Sequence, residues 1–441
     1  MNLQKTQNAM RKLLLFPVLI LSFCVMGCGQ KNQVEDLRDL FDDQSITATN
    51  QYDFLSLQSS TSLSSAEQLQ LNRLNGLTFP MMQKFFERKS ESFVFSPASL
   101  GCLLGLLAEG AAGNTYAEIN KLLGGIDGEN EPTGEFFRDY IVLSSSQNDN
   151  VGQVNYANLV LADNHMRITE NYKKQVKEYF DASASNIDFT KVDITKYINE
   201  WAAEKTKGKI TKVTDKVNGS VCFLNCLYFK GSWLYPFDYS QTSKDSFFQS
   251  SGKTRKVDMM HKLDLDGNFG YAVGDGFRMV RMKYGVSDAD SKYSMLVLLP
   301  DEGNDIGTMI SRLNAKTFSD VLANAKGTPV QLSLPRFDVA LDENMVDILS
   351  EMGLSDMFLP GIADFSRMSS SGLFVTLLKH ITTISVGESG SEAASASYAE
   401  MNITDTPPEV IEYKTVNCNR PFAFFITDNA TGGVLFAGCY Q

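Results

Sequence analysis

Few residues in this sequence are spaced for catalysis, and the set closest to a catalytic motif is incomplete. The segment GESGS, residues 387–391, approaches the Gly-x-Ser-x-Gly turn of α/β hydrolases, but Ser391 stands where the motif requires its second glycine. The sequence also contains no His-Glu-x-x-His zinc motif and no Gly-x-x-x-x-Gly-Lys-Ser/Thr phosphate loop. Because a hydrolase needs an activated nucleophile with a base beside it, these observations favour a protein that is not an enzyme and needs no cofactor.

Two cysteines come closest to a metal site. Cys222 and Cys226 lie in VCFLNCLYFKG, a strand pattern that puts both on one face. The three histidines, His165, His261 and His380, are distant in sequence, so we interpret the pair as buried thiols rather than zinc ligands. Without the two N-terminal cysteines five remain, an odd number that does not indicate a disulfide framework: Cys102, Cys222, Cys226, Cys418 and Cys439.

The N-terminus has the features of an export signal. Arg11 and Lys12 precede an apolar run, Leu13–Met26, which is too short for a membrane-spanning helix. Gly27 then precedes Cys28 in a pattern that resembles a bacterial lipobox. The sequence therefore predicts a signal peptide over residues 1–27 and a lipid on Cys28, anchoring the protein to the outer membrane or cell surface. Plain secretion is the alternative.

Composition predicts an acidic, globular protein. The formal net charge of the 441 residues is -12, which argues against nucleic acid as a partner. Residues 28–61 are polar without a sustained apolar period, and we interpret them as a tether. Folding is predicted to begin near Ser65, where SAEQ resembles a capping box. No repeat or later linker divides the rest, so residues 62–441 are expected to form one domain, most simply a monomer.

Helical and strand periods both occur in this domain. Residues 169–180 and 194–207 have helical spacing, and residues 292–300 are a nearly continuous apolar run, typical of a strand covered on both faces. Residues 330–334 alternate as a half-covered strand does, and the C-terminal segment reads strand, Gly-containing turn, strand. Helices concentrate early and strands late, which predicts the α+β class.

Six segments, in order along the mature chain, resemble signatures of the serpins. This resemblance implies a fold with helices packed on a large central mixed sheet, two smaller sheets and an exposed reactive loop near the C-terminus. The segments are FVFSPASLGCLLGLLAEGAAGNTYAEINKLLG (93–124), INEWAAEKTKGKI (198–210), FLNCLYFKGSW (223–233), LPRFDV (334–339), ADFSRMS (363–369) and NRPFAFFITDNATGGVLFAG (419–438).

The resemblance places the reactive loop at about residues 388–409. Taking every second residue from Ser391 gives small or apolar side chains, whereas the charges and the one aromatic fall in the other phase. A strand that enters a core needs this sorting, and no proline interrupts residues 387–406. The residues that match the family's hinge are Glu388, Gly390, Ser391, Glu392, Ala393, Ala394, Ser395 and Ala396.

The resemblance also implies residues that control the opening of the sheet. Trp233 matches the breach, where insertion of the loop begins. The shutter, a buried polar cluster beneath the central strands, is matched by Ser96, Ser99, Asn225 and His380.

The reactive bond is predicted between Thr404 and Asp405. Thr404 is sixteen residues beyond Glu388 and three before Pro407, as in a common serpin arrangement. Ile403 or a nearby bond is the alternative, and either residue would suit a protease of the elastase kind. The resemblance implies a single-use inhibitor that traps a serine, or alternatively a cysteine, endopeptidase. A serpin scaffold that only binds a partner is the alternative function.

Overall fold

The structure is a computed structural model that describes residues 62–125, 134–217, 219–391 and 411–441. The predicted signal peptide, lipidated Cys28 and tether lie outside these ranges. Within them, no helix has both the length and the apolar character needed to span a membrane. All described residues belong to one compact unit.

The helices begin at side-chain caps that the local sequence supplies. The Ser64 hydroxyl oxygen accepts from the backbone N–H of Glu67, and the Glu67 carboxylate accepts from the backbone N–H of Ser64. The capping box therefore starts one residue before the SAEQ prediction. Pro80 is inside this helix, which continues past it to Arg88. The helices are α1 (Ser65–Arg88), α2 (Pro97–Gly110), α3 (Gly113–Leu122), α4 (Gly134–Ser144), α5 (Glu170–Phe180), α6 (Ile194–Lys205), α7 (Ile306–Arg312), α8 (Ala315–Ala323) and α9 (Val346–Glu351).

The central sheet has seven strands and mixed pairing. Six of its strands, in order across the sheet, are β13 (Phe337–Asn344), β14 (Lys379–Gly387), β15 (Gly390–Ser391), β5 (Val221–Ser232), β3 (Gly152–Asp163) and β2 (Ser146–Asn148). The seventh strand, β4 (Ser183–Ile187), pairs parallel with β3.

Two further sheets complete the architecture. In the second sheet, the order is β1 (Phe93–Phe95), β18 (Val434–Tyr440), β17 (Phe422–Asp428), β10 (Tyr293–Pro300), β9 (Phe277–Lys283), β8 (Gly270–Gly274) and β11 (Lys326–Gly327). In the four-stranded sheet, it is β16 (Lys414–Asn417), β12 (Val330–Pro335), β7 (Thr254–Asp264) and β6 (Ser243–Phe248). Three sheets with packed helices confirm the α+β prediction, although the second sheet has as many strands as the central one.

The predicted elements are confirmed with small shifts at their ends. All eight residues of β10 are buried, as expected for a strand covered on both faces. The α6 helix ends at Lys205 rather than at residue 207, because Lys207 adopts a left-handed φ of 54° and stops helical propagation. The C-terminal strand, turn and strand are β17, its Gly-containing turn and β18.

The cysteines differ slightly from their predicted burial. Cys226 is buried in β5, but Cys222, near the start of the same strand, is partly exposed. Desolvation raises the pKa of each of these two thiols to about 12, so both are protonated at neutral pH. The five cysteines in the described residues are free thiols.

Candidate functional site

The start of the predicted reactive loop is a strand of the central sheet. Gly390 and Ser391 form β15, which pairs antiparallel with Gly387 and Val386 of β14 on one side. On the other side they pair with Ser232 and Gly231 of β5. The chain thus leaves β14, turns through residues 388–389, and re-enters the sheet between β14 and β5.

Glycine is required at position 390 by close contact with the neighbouring strand. The φ of Gly390 is 144°, and a Cβ atom built there would lie 2.1 Å from the carbonyl oxygen of Gly231. An L-residue meets strain from both the backbone angle and this clash. The sequence pattern singled out this glycine, and the structure gives it a local physical reason.

The side chain of Ser391 is completely buried at the top of the sheet. Its Oγ lies 2.8 Å from the hydroxyl oxygen of Tyr284, which is also fully buried. The Tyr284 ring stacks on Trp233 with centroids 4.3 Å apart and planes at 15°. Burial raises the pKa of Tyr284, so its hydroxyl remains neutral and can share a hydrogen bond with Ser391.

Trp233 contacts the hinge through both its backbone and its side chain. The indole Nε1 donates to the carbonyl of Gly387 at 2.8 Å, and the backbone N–H donates to the carbonyl of Ser389 at 2.9 Å. These bonds span the turn between β14 and β15. Trp233 therefore contacts the turn that leads into β15, and its role as the breach stays a prediction.

Glu388 is held in a polar socket beside the same turn. Only 2% of its side chain is exposed, yet its Oε1 accepts from the Thr242 hydroxyl at 2.9 Å and lies 3.6 Å from the guanidinium of Arg336. Its backbone carbonyl accepts from the N–H of Phe237 at 2.9 Å. A buried carboxylate requires such partners because desolvation of an unpaired charge is costly.

The four predicted shutter residues are all buried and three hydrogen bonds connect them. The Nε2 atom of His380 accepts from the backbone N–H of Ser96 at 3.0 Å, and the Ser96 Oγ accepts from the N–H of Ser99 at 3.0 Å as the cap of α2. The Ser99 hydroxyl donates to Asn225, and Asn225 donates to Asn158 at 2.5 Å. This chain of hydrogen bonds runs from β14 through α2 to β5 and β3, so it links the two strands that flank β15.

Four residues that complete these two clusters were not predicted from the sequence. Arg336 lies within LPRFDV, one of the six segments that resemble serpin signatures, and this position is a signal that could have indicated it. The other three are Tyr284, Thr242 and Asn158. Seven predicted hinge and bond residues lie outside the described ranges: Glu392, Ala393, Ala394, Ser395, Ala396, Thr404 and Asp405.

Comparisons with known proteins agree with this arrangement. Residues 72–441 match the model of the family described as Serpin (serine protease inhibitor). The chain belongs to the serpin family. A leukocyte elastase inhibitor of Xenopus tropicalis is 30% identical to this serpin over 380 residues, covering 82% of this chain and 97% of the relative. An uncharacterized serpin-like protein of Thermococcus kodakarensis is 28% identical over 402 residues, covering 90% of this chain and 89% of the relative.

Solved structures share the fold of this serpin. The thermophilic serpin tengpin in its native state superposes with a TM-score of 0.73 at 27% identity, covering 83% of this chain and 93% of tengpin. Human thyroxine-binding globulin, solved in complex with thyroxine, superposes with a TM-score of 0.75 at 22% identity, covering 85% of this chain and 98% of the globulin. Most members of the family are protease inhibitors, consistent with a protein that is not an enzyme itself.

The buried His380 makes the stability of this serpin sensitive to acid. Desolvation lowers the pKa of His380 from 6.5 to about 4. Between these pH values the unfolded chain binds a proton that the folded chain does not. The contribution of neutral His380 to stability is therefore fully present above about pH 6.5 and is lost as the pH falls towards 4. The lost contribution is on the order of 3 kcal/mol.

We therefore expect His380→Gln to flatten the pH dependence of unfolding. The glutamine oxygen can still accept from the Ser96 N–H but does not titrate. The difference in unfolding free energy between wild type and variant, measured by urea denaturation, should shrink by about 3 kcal/mol from pH 7 to pH 4. Parallel curves for the two proteins over that range would show that His380 does not supply the acid sensitivity.

Gly390→Ala should displace the start of the loop from the sheet. The strain and clash described above cost about 1–3 kcal/mol, and only the backbone pairing of the short strand β15 opposes this cost. In a Trp201→Phe background, the emission of Trp233 should shift to longer wavelength as its contacts with the turn are lost. The matched control is Gly387→Ala, because a Cβ there has its nearest contact at 3.8 Å. Equal spectra for both alanine variants would contradict the assignment.

Proposed function

We propose that this serpin is an inhibitor that traps an endopeptidase once per molecule by inserting its cleaved reactive loop into the central sheet. The observation that carries the proposal is β15, because Gly390 and Ser391 are paired on both edges and Ser391 is buried between the two strands that must part. Insertion would then extend a strand that has already begun. It would not have to nucleate a new one.

The chemical sequence follows from this geometry. The catalytic nucleophile of the protease attacks the carbonyl carbon of the reactive bond. The peptide bond breaks, the downstream segment leaves with a new amino terminus, and the upstream part of the loop stays bonded to the protease as an acyl-enzyme. Insertion of residues beyond Ser391 then carries the bound protease away from its docking position. If insertion is faster than hydrolysis, the acyl-enzyme is distorted before water completes the reaction, so the outcome depends on relative rates.

The energy for this movement has to come from burial and relief of strain. A net hydrogen bond contributes roughly 0.5–1.5 kcal/mol, whereas fixing one residue costs roughly 1–2 kcal/mol, so ladder bonds alone do not drive insertion. The side chains predicted to point inward, every second residue from Ser391, are small or apolar, so each can enter the sheet without desolvating a charge. The rest of the driving free energy would come from relief of strain in a central sheet that lacks its last strand before insertion.

We infer that the reactive bond is Thr404–Asp405 and that the target is an elastase-like serine protease. Support comes from the position of Thr404 relative to Glu388 and from the medium-sized apolar neighbour Ile403, whose own bond is the alternative. The relative named leukocyte elastase inhibitor is consistent with this choice. Mass analysis of the released C-terminal fragment identifies the cleaved bond.

We also propose that the protein acts at a membrane surface, tethered by lipid on Cys28. The support is the lipobox-like sequence and the polar segment 28–61 before the domain. Labelling cells with a fatty-acid analogue should mark the wild type and not Cys28→Ser. Labelling of neither protein would favour the secreted alternative.

The decisive experiment incubates the full chain with a panel of elastase-like and trypsin-like proteases. Inhibition predicts a protease–serpin complex that survives denaturing electrophoresis, at a stoichiometry near one. The alternative is a scaffold that binds a partner without trapping it, as the solved complex of thyroxine-binding globulin with thyroxine illustrates for that protein. Cleavage of the loop without any stable complex would favour the scaffold.

A further inference from the structure

A Ser–His–Asp constellation lies on the four-stranded sheet, away from the hinge. The Oγ atom of Ser333 is 2.9 Å from Nδ1 of His261, and Nε2 of the same ring is 3.2 Å from Oδ2 of Asp245. A nucleophile, a base and a carboxylate that orients the base thus lie side by side, each within hydrogen-bonding distance of the next. Sequence motifs did not reveal them because they come from three separate strands.

The strand order of the sheet brings these residues together. Ser333 of β12 is the register partner of His261 on β7. Asp245 comes from β6 next to β7, where its register partner is Val257, so its side chain contacts His261 away from the direct pairing position. On its other side Ser333 is the register partner of Asn417 on β16. Register partners on paired strands have their side chains on the same face of the sheet, so the exposed Asn417 shares a face with Ser333. Each of the four strands contributes one residue.

The contacts of His261 fit the tautomer that acyl transfer requires. When the Nε2–H of neutral His261 donates to Asp245, Nδ1 is left to accept from the Ser333 hydroxyl. Ser243 strengthens this arrangement, since its Oγ lies 3.2 Å from Nε2 and donates to Asp245 at 3.3 Å. The imidazole therefore has its base nitrogen directed at the serine.

We propose that Ser333 is an acyl acceptor and that this face hydrolyses small carboxylic esters. Oγ attacks the ester carbonyl while Nδ1 of His261 takes its proton, and the ring returns that proton to the leaving alkoxide, releasing the alcohol and leaving acyl-Ser333. Water, deprotonated in turn by His261, releases the acid and restores the hydroxyl. The Asn417 amide is placed to donate to the carbonyl oxygen as it gains negative charge.

The exposure of the residues limits the substrate class. The side chains of His261 and Asp245 are 35% and 46% exposed, but Ser333 is only 9% exposed. A bulky acyl group would meet the neighbouring strands before reaching Oγ, so short chains such as acetyl are the expected donors. This activity is independent of loop insertion and goes beyond the proposed inhibition.

The test uses the full chain with p-nitrophenyl acetate. We expect turnover and, on brief exposure, a single acetyl group on the peptide that contains Ser333. Ser333→Ala and His261→Gln should each reduce the rate by about 10²-fold or more, and Asn417→Ala by up to about 10²-fold. Thr254→Ala, an exposed residue of β7 outside the cluster, is the control for unspecific effects.

Two results would overturn the proposal. One is a rate for Ser333→Ala equal to that of wild type, and the other is acetylation of lysines without acetylation of Ser333 in the unmodified protein. The second measurement needs no variant and holds even if a substitution impairs folding. Trapping of a protease by Ser333→Ala reports on the inhibitor function separately, so the two proposals succeed or fail on different readouts.

Discussion

Ser391→Arg is expected to convert the inhibitor into a substrate of its target protease. Ser391 has no exposed surface, and its Oγ is 2.8 Å from a fully buried tyrosine hydroxyl. A guanidinium cannot enter this space without losing its hydration, a cost of several kcal/mol that opposes insertion. Because trapping is a contest of rates, a delay of this size favours hydrolysis. The yield of complex stable to denaturing electrophoresis should fall at least about 10-fold while loop cleavage continues.

The alternation of the loop supplies a matched control for this variant. Ala394 belongs to the outward phase predicted from the sequence, so Ala394→Arg should retain most of the covalent complex. Ala393→Pro, in the inward phase, should behave like Ser391→Arg because it also removes a ladder donor. If Ser391→Arg forms covalent complex at the wild-type ratio, the hinge assignment fails. Equal losses for Ala394→Arg would instead contradict the predicted alternation.

Cleavage of the reactive loop should raise the thermal midpoint of unfolding by more than about 10 °C. A free-energy gain of 1 kcal/mol shifts the midpoint by only about 2–4 °C in domains of 150–250 residues, and by less in larger ones. Driving a protease away from its site requires several kcal/mol, so the cleaved form must be far more stable than the intact one. Differential scanning calorimetry of the intact protein and of the protein nicked by a non-target protease measures the difference.

A nicked Ser391→Arg sample is the appropriate control for the calorimetry. It carries the same cut but a hinge that resists insertion, so its midpoint should rise much less than that of the nicked wild type. Equal midpoints for nicked and intact wild type would remove the energetic basis of trapping. The binding scaffold would then be the better account of this serpin.

The local sequence predicted the elements whose pattern reports burial directly. The continuous apolar run of β10 and the helical spacing of α5 and α6 were located to within two residues. These elements could be predicted because periodicity arises from the residues nearest in sequence. Gly390 was indicated only by the resemblance to the serpin hinge, and its φ of 144° with the close contact to Gly231 supplies a physical reason.

The sequence by itself determined that the chain has a serpin's segments in order, with small residues in one phase of the loop. Only the tertiary structure decided which side chains meet them. Ser391 bonds to Tyr284, 107 residues away, and His380 accepts from Ser96, 284 residues away. Strand register pairs Ser333 with both Asn417 and His261, and Asp245 contacts His261 from the adjacent strand. Such partners leave no periodic trace, because a contact between distant strands is set by their register in the folded sheet.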